Sequence, residues 1–341
     1  MDIDPEKTEE RIISTEISAA DTGKRLDVFL SSRFTYHSRH KWQEIIRKRQ
    51  ILLNGRPVKN STKLRAGDVV DFLPDNIEPE TDNSYDILFE DEYILAVSKS
   101  GNLPCHPAGP FFRNTLWHLL AYRSEKPFKP YFISRLDRET SGIILIAKSA
   151  KTAAEFAENQ LITKKMYLVV VFGDFPERID ADGYLYNDLT IPHDHTSKVR
   201  KKRYFSYEQP DFPGESCRTV FKLKKTIHHF SGNRSRQLSL VSAELHTGRT
   251  HQIRATLCSL GFPLVGDKLY GPDESIFLRF INDEVTEEDR GKLILPRQAL
   301  HSFSVTFIHP ETNREIIIEA PPVPDMAELL CSFTTEGKKT D

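Results

Sequence analysis

The sequence predicts an α+β protein: a larger domain built on a mixed, mainly antiparallel central sheet flanked by helices and loops, preceded by a small α/β module. Three observations predict it. Strand-like and helix-like segments alternate, but several strands are separated only by hairpin-length turns, which a doubly wound parallel sheet does not allow. A Pro-, Asp- and Asn-rich stretch at 74–86, "PDNIEPETDNSYD", divides a short first part from a long second one. The 341 residues also exceed one average domain. The expected organisation is a flexible acidic segment 1–17, a module 18–75, a linker 76–86, a large domain 87–325 and a flexible tail 326–341.

In the module, "GKRLDVFLSSRF" places Leu26, Phe29 and Leu30 on one helical face. A second helix fits "SRHKWQEIIRKRQ", with Ser38 as N-cap and Trp42, Ile45 and Ile46 turned inward. "ILLNG" reads as a strand entering a tight Asn54-Gly55 turn, and "AGDVVDFLP" as the strand that closes the module.

The large domain opens with two short strands in "ILFEDEYILAVSKS" and a Gly- and Pro-containing loop, "GNLPCHPAG". A helix, "NTLWHLLAYR", follows with Asn114 as cap. Next comes "ISRLDRETSGIILIAKS", whose last apolar run is a buried strand, and a helix "KTAAEFAENQL" with Ala154, Ala157 and Leu161 in line. "KKMYLVVVFG" is a strand ended by Gly173; 174–218 is polar and basic, with the look of an insertion or surface hairpin. "RQLSLVSAELHTGRTHQIRATLCSLG" gives strand, turn and helix, the helix ended by Gly261.

Composition narrows the function classes. With 38% apolar and 28% charged residues this is globular-protein composition, and no apolar run approaches the 18 or so residues of a membrane span. The acidic first 20 residues lack the apolar stretch of a secretory signal. Four cysteines, Cys105, Cys217, Cys258 and Cys331, are far apart, as free thiols of a reducing compartment would be. A cytoplasmic monomer is the expectation. No cysteine or histidine spacing suits a metal, and His193 and His195 read as part of a solvated loop.

Net charge is −2, yet residues 38–65 hold nine Lys or Arg against one Glu, and "KVRKKR" at 198–203 is a second basic run. A charge block of one sign that continues from a helix into a turn suits a polyanion better than a merely solvated face. Arg39, Lys41, Arg47, Lys48 and Arg49 are therefore candidate RNA contacts.

Two constellations could carry chemistry. In "RLDRETSG" an Asp sits where a loop enters a buried strand, Gly142 permits a close backbone turn, and Thr140 and Ser141 can satisfy loop amides. A partly desolvated Asp137 needs a cation to stay ionised, and Arg135 or Arg138 could supply it. Equally, an Asp there could simply cap the turn. In "LHTGRTHQIR", Thr250 is a candidate N-cap and His251, Gln252 and Arg254 crowd a helix start, over a buried face of Ile253, Leu257 and Leu260. Such a donor-dense helix start suits a phosphate or a carboxylate.

"RLDRETSG", "KKMYLVVVFG", "HTGRTHQIR", "PLVGDKLYG" and "LHSFSVTFIHP", in this order over about residues 87–320, resemble the RluA-type pseudouridine synthases. "SKSGNLPCHPAG" is similar to that family's opening strand and loop, and the first module resembles the αL RNA-binding motif of a small-subunit ribosomal protein. Ser134, Ser100 and Thr256 stand where family members usually have His, Pro and His. The resemblance implies isomerisation of uridine in ribosomal or transfer RNA to pseudouridine, without cofactor, nucleotide or metal.

It also implies roles for residues. Asp137 is the catalytic carboxylate, either nucleophile at the sugar or base toward a ribose proton. Arg254 pairs with it, Tyr167 stacks on the extruded uracil, and Arg135 enters the gap left in the RNA. Thr140, His251, Gln252, Lys99 and His106 complete the expected substrate-binding set. A base within a stack must flip out to react, at a cost of a few kcal/mol, and stacking on an aromatic ring returns roughly 1–3 kcal/mol of that. The alternative from another class is a non-catalytic RNA-binding or ribosome-assembly factor.

Overall fold

A computed structural model describes residues 12–34, 39–73, 78–187, 202–209, 211, 213–231, 234–281 and 284–335. The chain forms two compact units. One comprises the chain up to Glu80 with His106–His118, the other Thr81–Cys105 with the chain from Leu119 onward.

The first unit carries β1 (Ile13–Glu16), α1 (Leu26–Arg33), α2 (Arg39–Arg47), β2 (Ile51–Leu53), β3 (Arg56–Pro57) and β4 (Val69–Phe72), its sheet running β1-β4-β2-β3. Leu26, Phe29 and Leu30 of α1 and Trp42, Ile45 and Ile46 of α2 close a core over Ile51 and Val70, as their spacing predicts. Asn54 and Gly55 both have left-handed φ, 52° and 74°, the geometry of a two-residue hairpin turn. Ser38, the expected cap of α2, lies outside the described residues.

Two boundaries need correction here. The segment expected to be flexible to residue 17 is ordered from Ile13: β1 pairs with β4 in register Ile13↔Phe72 to Glu16↔Val69, and Ile17 is buried in the core. The acidic composition concealed a short alternating strand. Nor is 76–86 a slack linker throughout. The Glu78 carboxylate accepts from the backbone N–H groups of Phe112, Arg113 and Asn114 at 2.8–2.9 Å, and the Asp82 carbonyl accepts from Ser100 Oγ at 2.5 Å.

β5 (Tyr85–Glu90) and β6 (Ile94–Lys99) form the expected hairpin. α3 (Leu116–His118) runs into a π-helical turn, Leu119–Arg123. Thr115 caps it by accepting from His118 N at 3.2 Å, whereas Asn114 donates its side-chain amide to Pro79 O. The second unit continues with β7 (Tyr131–Phe132), β8 (Ser141–Ala147), α4 (Ala150–Glu158), β9 (Ile162–Phe172), β10 (Arg178–Asn187), β11 (Arg203–Ser206), β12 (Glu215–Ser231) and β13 (Arg234–Leu245). It ends with α5 (Gln252–Ser259), α6 (Ser275–Ile281), α7 (Glu287–Leu293), β14 (Leu300–Ile308), β15 (Glu315–Glu319) and α8 (Pro324–Thr335).

The strand order is β11-β10-β12-β13-β9-β14-β8-β6-β5, with β15 on β14 and β7 on β8. Among the described residues only β14 and β8 pair in parallel, so the sheet is mixed and mainly antiparallel, as the hairpin spacings predict. Among the described residues no helix is long and apolar enough to cross a membrane.

Four readings of this unit change. α4 buries Thr152 and Phe156, four residues apart, and exposes Ala154 and Ala157, because the one large apolar side chain sets the inward face. Residues 178–187, 203–206 and 215–218 are not a surface insertion: they belong to β10, β11 and β12 of the main sheet, and Ala181, Leu185, Phe205 and Cys217 enter its largest core. In the basic run, Lys202 and Arg203 are buried and engaged by Glu274 and Glu215, which removes both as RNA contacts. The tail expected to be loose from 326 is helical to Thr335, with Met326 and Leu329 in a core. His193 and His195 lie outside the described residues.

Candidate active site

The loop between β7 and β8 carries Asp137, and its backbone is tied down residue by residue. Cys105 Sγ donates to Leu136 O at 3.2 Å, Lys99 Nζ to Arg138 O at 3.0 Å and Arg297 to Glu139 O at 3.2 Å. Thr140 N closes the turn onto Asp137 O at 3.1 Å. β8 then starts beside β14, in register His301↔Ser141 and Ser302↔Gly142. Gly142 has φ of 100°, and a Cβ there would fall on the Ser302 carbonyl, so no other residue lets the loop enter the sheet at this point.

Arg254 reaches the same place from α5, 117 residues later. Its Nη1 lies 2.6 Å from Asp137 Oδ2, while Nε and Nη2 hold Asp267 at 2.6 and 2.9 Å. Asp267 also accepts from the N–H groups of Leu269 and Tyr270, both at 2.9 Å, and the Tyr270 ring lies 5.0 Å from the Arg254 guanidinium. Arg254 is thus a rigid strut between a fully buried carboxylate and a partly open one: the Asp137 side chain keeps 31% of its surface in solvent, that of Asp267 none.

Electrostatics follow from this frame. Burial pushes the Asp137 carboxyl up, but the Arg254 charge, then His251, outweigh it and hold it below the usual carboxylate range. His251, with Nδ1 3.1 Å from Tyr270 Oη and Nε2 4.0 Å from Asp137, is lowered by burial and by Arg254, so it is neutral near pH 7. Tyr167 is pushed up to about 12 by burial and stays a neutral phenol.

These side chains line one pocket of about 400 Å³, bounded also by Phe132, Leu245, Arg249 and Leu300. Asp137, Arg254, Tyr167, Arg135, Thr140, His251 and Gln252, all predicted from sequence, meet here. Arg135 lines the pocket, is exposed, and has no ion pair among the described residues. The partner of Asp137 is Arg254 rather than Arg135 or Arg138, the latter pairing with Glu139. An ionised carboxylate beside a neutral aromatic, in a cavity of nucleobase size, can act on a ribose while the base stacks.

Other expectations do not hold in the form predicted. Lys99 is fully buried, does not line the pocket, and spends its ammonium on Ser100 O and Arg138 O; burial lowers it to about 8. It positions the Asp137 loop. His106 falls in the first unit and does not line the pocket. Gln252 lines it but is consumed by scaffolding: it accepts from Thr247 Oγ1 and Arg249 N and donates to Arg218 O and Thr219 Oγ1. Thr140 Oγ1 likewise accepts from Gln298 Nε2 at 2.6 Å. Thr250 is not the cap of α5; His251 is, in the left-handed region at φ 57°, and makes no side-chain cap bond.

In the first unit Arg39 does not stand free for RNA. With Arg25 and Gln43 it satisfies Asp27, whose side chain is wholly buried. Lys41 and Lys48 both pair with Glu44 at 3.1 Å but stay half-exposed. Sequence reasoning missed Asp267, Arg297 and Gln298. The signal for Asp267 was present in "PLVGDKLYG": an Asp among apolar residues and glycines needs a buried cation.

Fold and site together suit an RNA-modifying isomerase. The family model described as RNA pseudouridylate synthase matches residues 93–259, and the S4 domain model matches 24–70. The uncharacterized RNA pseudouridine synthase YlyB of Bacillus subtilis is 31% identical, covering 94% of this chain and 99% of its own. A ribosomal large subunit pseudouridine synthase D of Nitrosomonas europaea is 28% identical over 90% of this chain and 84% of its own. The solved human RNA pseudouridylate synthase domain containing 1 shares the fold, with a TM-score of 0.53, 20% identity and coverage of 76% of this chain and 98% of that one. The chain belongs to the RluA-type RNA pseudouridine synthase family, which are isomerases, and carries an S4 domain at its N-terminal side.

Proposed function

We propose that this pseudouridine synthase isomerises a uridine of large-subunit ribosomal RNA, with Asp137 as its catalytic carboxylate. The 2.6 Å contact between Asp137 and Arg254 beside Tyr167 supports the residue assignment most strongly. The RNA is chosen over transfer RNA because relatives at 28% identity carry the name ribosomal large subunit pseudouridine synthase D. The enzyme then works as a monomer in the cytoplasm, where such RNA is made.

The uridine flips into the pocket and its ring stacks on Tyr167, while Arg135 fills the vacated place in the RNA. Asp137, ionised by Arg254, attacks the ribose or removes its proton; both routes need a carboxylate oxygen that is negative and partly desolvated. Arg serves as partner because it does not deprotonate in this burial. Lys41, Arg47, Lys48 and Arg49 of the S4 domain contact phosphates and add affinity that weakens with salt.

Pseudouridine mapping of ribosomal and transfer RNA, in cells lacking the gene and cells carrying Asp137→Asn, tests this. One or more large-subunit uridines should stay unmodified in both and be restored by the wild-type gene. Loss confined to transfer RNA would reject the substrate; full modification by Asp137→Asn would reject the catalytic assignment.

A further inference from the structure

Lys165 stands on β9 two residues before Tyr167, so both side chains leave the same face of the strand, with Cα atoms roughly 6.6 Å apart. Both line the pocket. A lysine in such a wall normally finds a carboxylate or extends its ammonium into water. Lys165 is only partly exposed and makes no hydrogen bond or ion pair among the described residues. Burial alone lowers its pKa, with no anion to offset it. Of the other cations lining the pocket, Arg254 is committed to two carboxylates and Arg249 to Ser216 O, with Glu215 at 3.8 Å, while Arg135 is exposed. Across from Lys165 lies Gly248, where a Cβ would stand 3.6 Å from the ammonium, an ordinary van der Waals contact, so the ammonium rests beside this turn in the pocket wall.

We propose that Lys165 is a catalytic residue whose ammonium contacts the uracil while it is detached from the ribose, stabilising the negative charge on its carbonyl oxygens. This rests on the reading of Asp137 and Tyr167 given above. When the C1′–N1 bond breaks, its electron pair leaves with the uracil and spreads over N1, O2 and O4. Asp137 meanwhile forms a bond to C1′ or takes the C2′ proton. On return C5 bonds to C1′, and Asp137 either leaves C1′ or gives its proton back to C2′, ending in its starting form. C5 loses a proton and N1 gains one, so the sum is an isomerisation. Lys165 keeps its proton throughout and supplies a charge-assisted hydrogen bond where charge develops. The base is favoured over a phosphate as its ligand, because a base stacked on Tyr167 brings its edge to the neighbouring side chain, whereas phosphates remain with the strand outside the pocket.

The test uses the full-length enzyme and a substrate RNA, comparing wild type, Lys165→Met and Lys165→Arg. Single-turnover rates are taken at saturating RNA across pH, and Kd across salt. Lys165→Met should lower the single-turnover rate about 10²-fold, with Kd and salt slope unchanged. Wild type should lose rate as pH rises through the lysine's lowered pKa. Tyr167 titrates only near 12 and the arginines of the pocket stay charged; Lys99, lowered to about 8 behind the Asp137 loop, remains in Lys165→Arg, so that variant decides which lysine sets the limb. Lys165→Arg should recover part of the rate and lack the limb, which decides the matter even if Lys165→Met folds poorly. A wild-type rate in Lys165→Met overturns the proposal. So does a loss confined to Kd with a salt slope reduced by about one, the signature of a phosphate contact, or a limb that persists in Lys165→Arg. Absence of pseudouridine from the wild-type reaction would instead count against the assigned substrate.

Discussion

Asp27 in the first unit and Asp137 in the second are both carboxylates held by arginine and placed beside apolar cores, yet they do opposite things. Asp27 has no exposed side-chain surface and meets Arg25, Arg39 and Gln43, so both carboxylate oxygens are engaged. Burial pushes its carboxyl up, and Arg25, Gln43 and Arg39 bring it well below the ordinary range. Asp137 meets one arginine, keeps about a third of its side chain open, and faces a cavity with Tyr167. Sealing makes a carboxylate structural. An open side, with the counter-charge anchored elsewhere by Asp267, leaves it able to do the chemistry proposed for Asp137.

The largest effect that could break this comparison is on rate. Asp137→Asn should lower pseudouridine formation about 10⁴-fold or more while RNA binding and melting temperature stay near wild type. Asp27→Asn should do the reverse: a loss of about 1–3 kcal/mol in urea unfolding, with the rate per folded molecule unchanged. Because Asp27 is depressed in the fold, its contribution is present above the unfolded carboxylate pKa and is lost as pH falls through the folded one. Urea titrations at pH 7 and in acid check that sign. Arg254→Met exposes Asp137 to the burial that raises its pKa. The acid limb of the single-turnover rate should therefore move to higher pH; an unmoved limb would mean that Arg254 does not hold the charge.

Smaller effects sharpen the picture. Lys99→Met leaves Ser100 O and Arg138 O without their donor and should cost about 1–3 kcal/mol, read in urea midpoints. Replacing Lys41, Arg47, Lys48 and Arg49 together by Gln should reduce the slope of log affinity against log salt by about three, with the rate at saturating RNA unchanged.

The elements of the fold were legible wherever periodicity was strong. The inward faces of α1 and α2, the Asn54-Gly55 turn and β9 follow directly from spacing. β1 was hidden by its acidic surroundings, and β10 and β11 by polar residues on their exposed faces. At the site, Asp137 and Arg254 sit in distinctive local patterns, whereas Tyr167, an aromatic in a strand, could be named only through the family resemblance. The distinction between Gln252 and His251, or Arg39 and Arg47, was not legible. It depends on partners distant in sequence, such as Thr219, Tyr270 and Asp27. Donor-rich sequence marks a site, but only the fold shows which donors are already used.

The most direct test of the account is a single-turnover assay of pseudouridine formation with wild type and Asp137→Asn on the same large-subunit RNA, with Kd measured in parallel. The account predicts product from wild type, none detectable from Asp137→Asn, and equal affinity for both. Product from Asp137→Asn at a rate near that of wild type would contradict it.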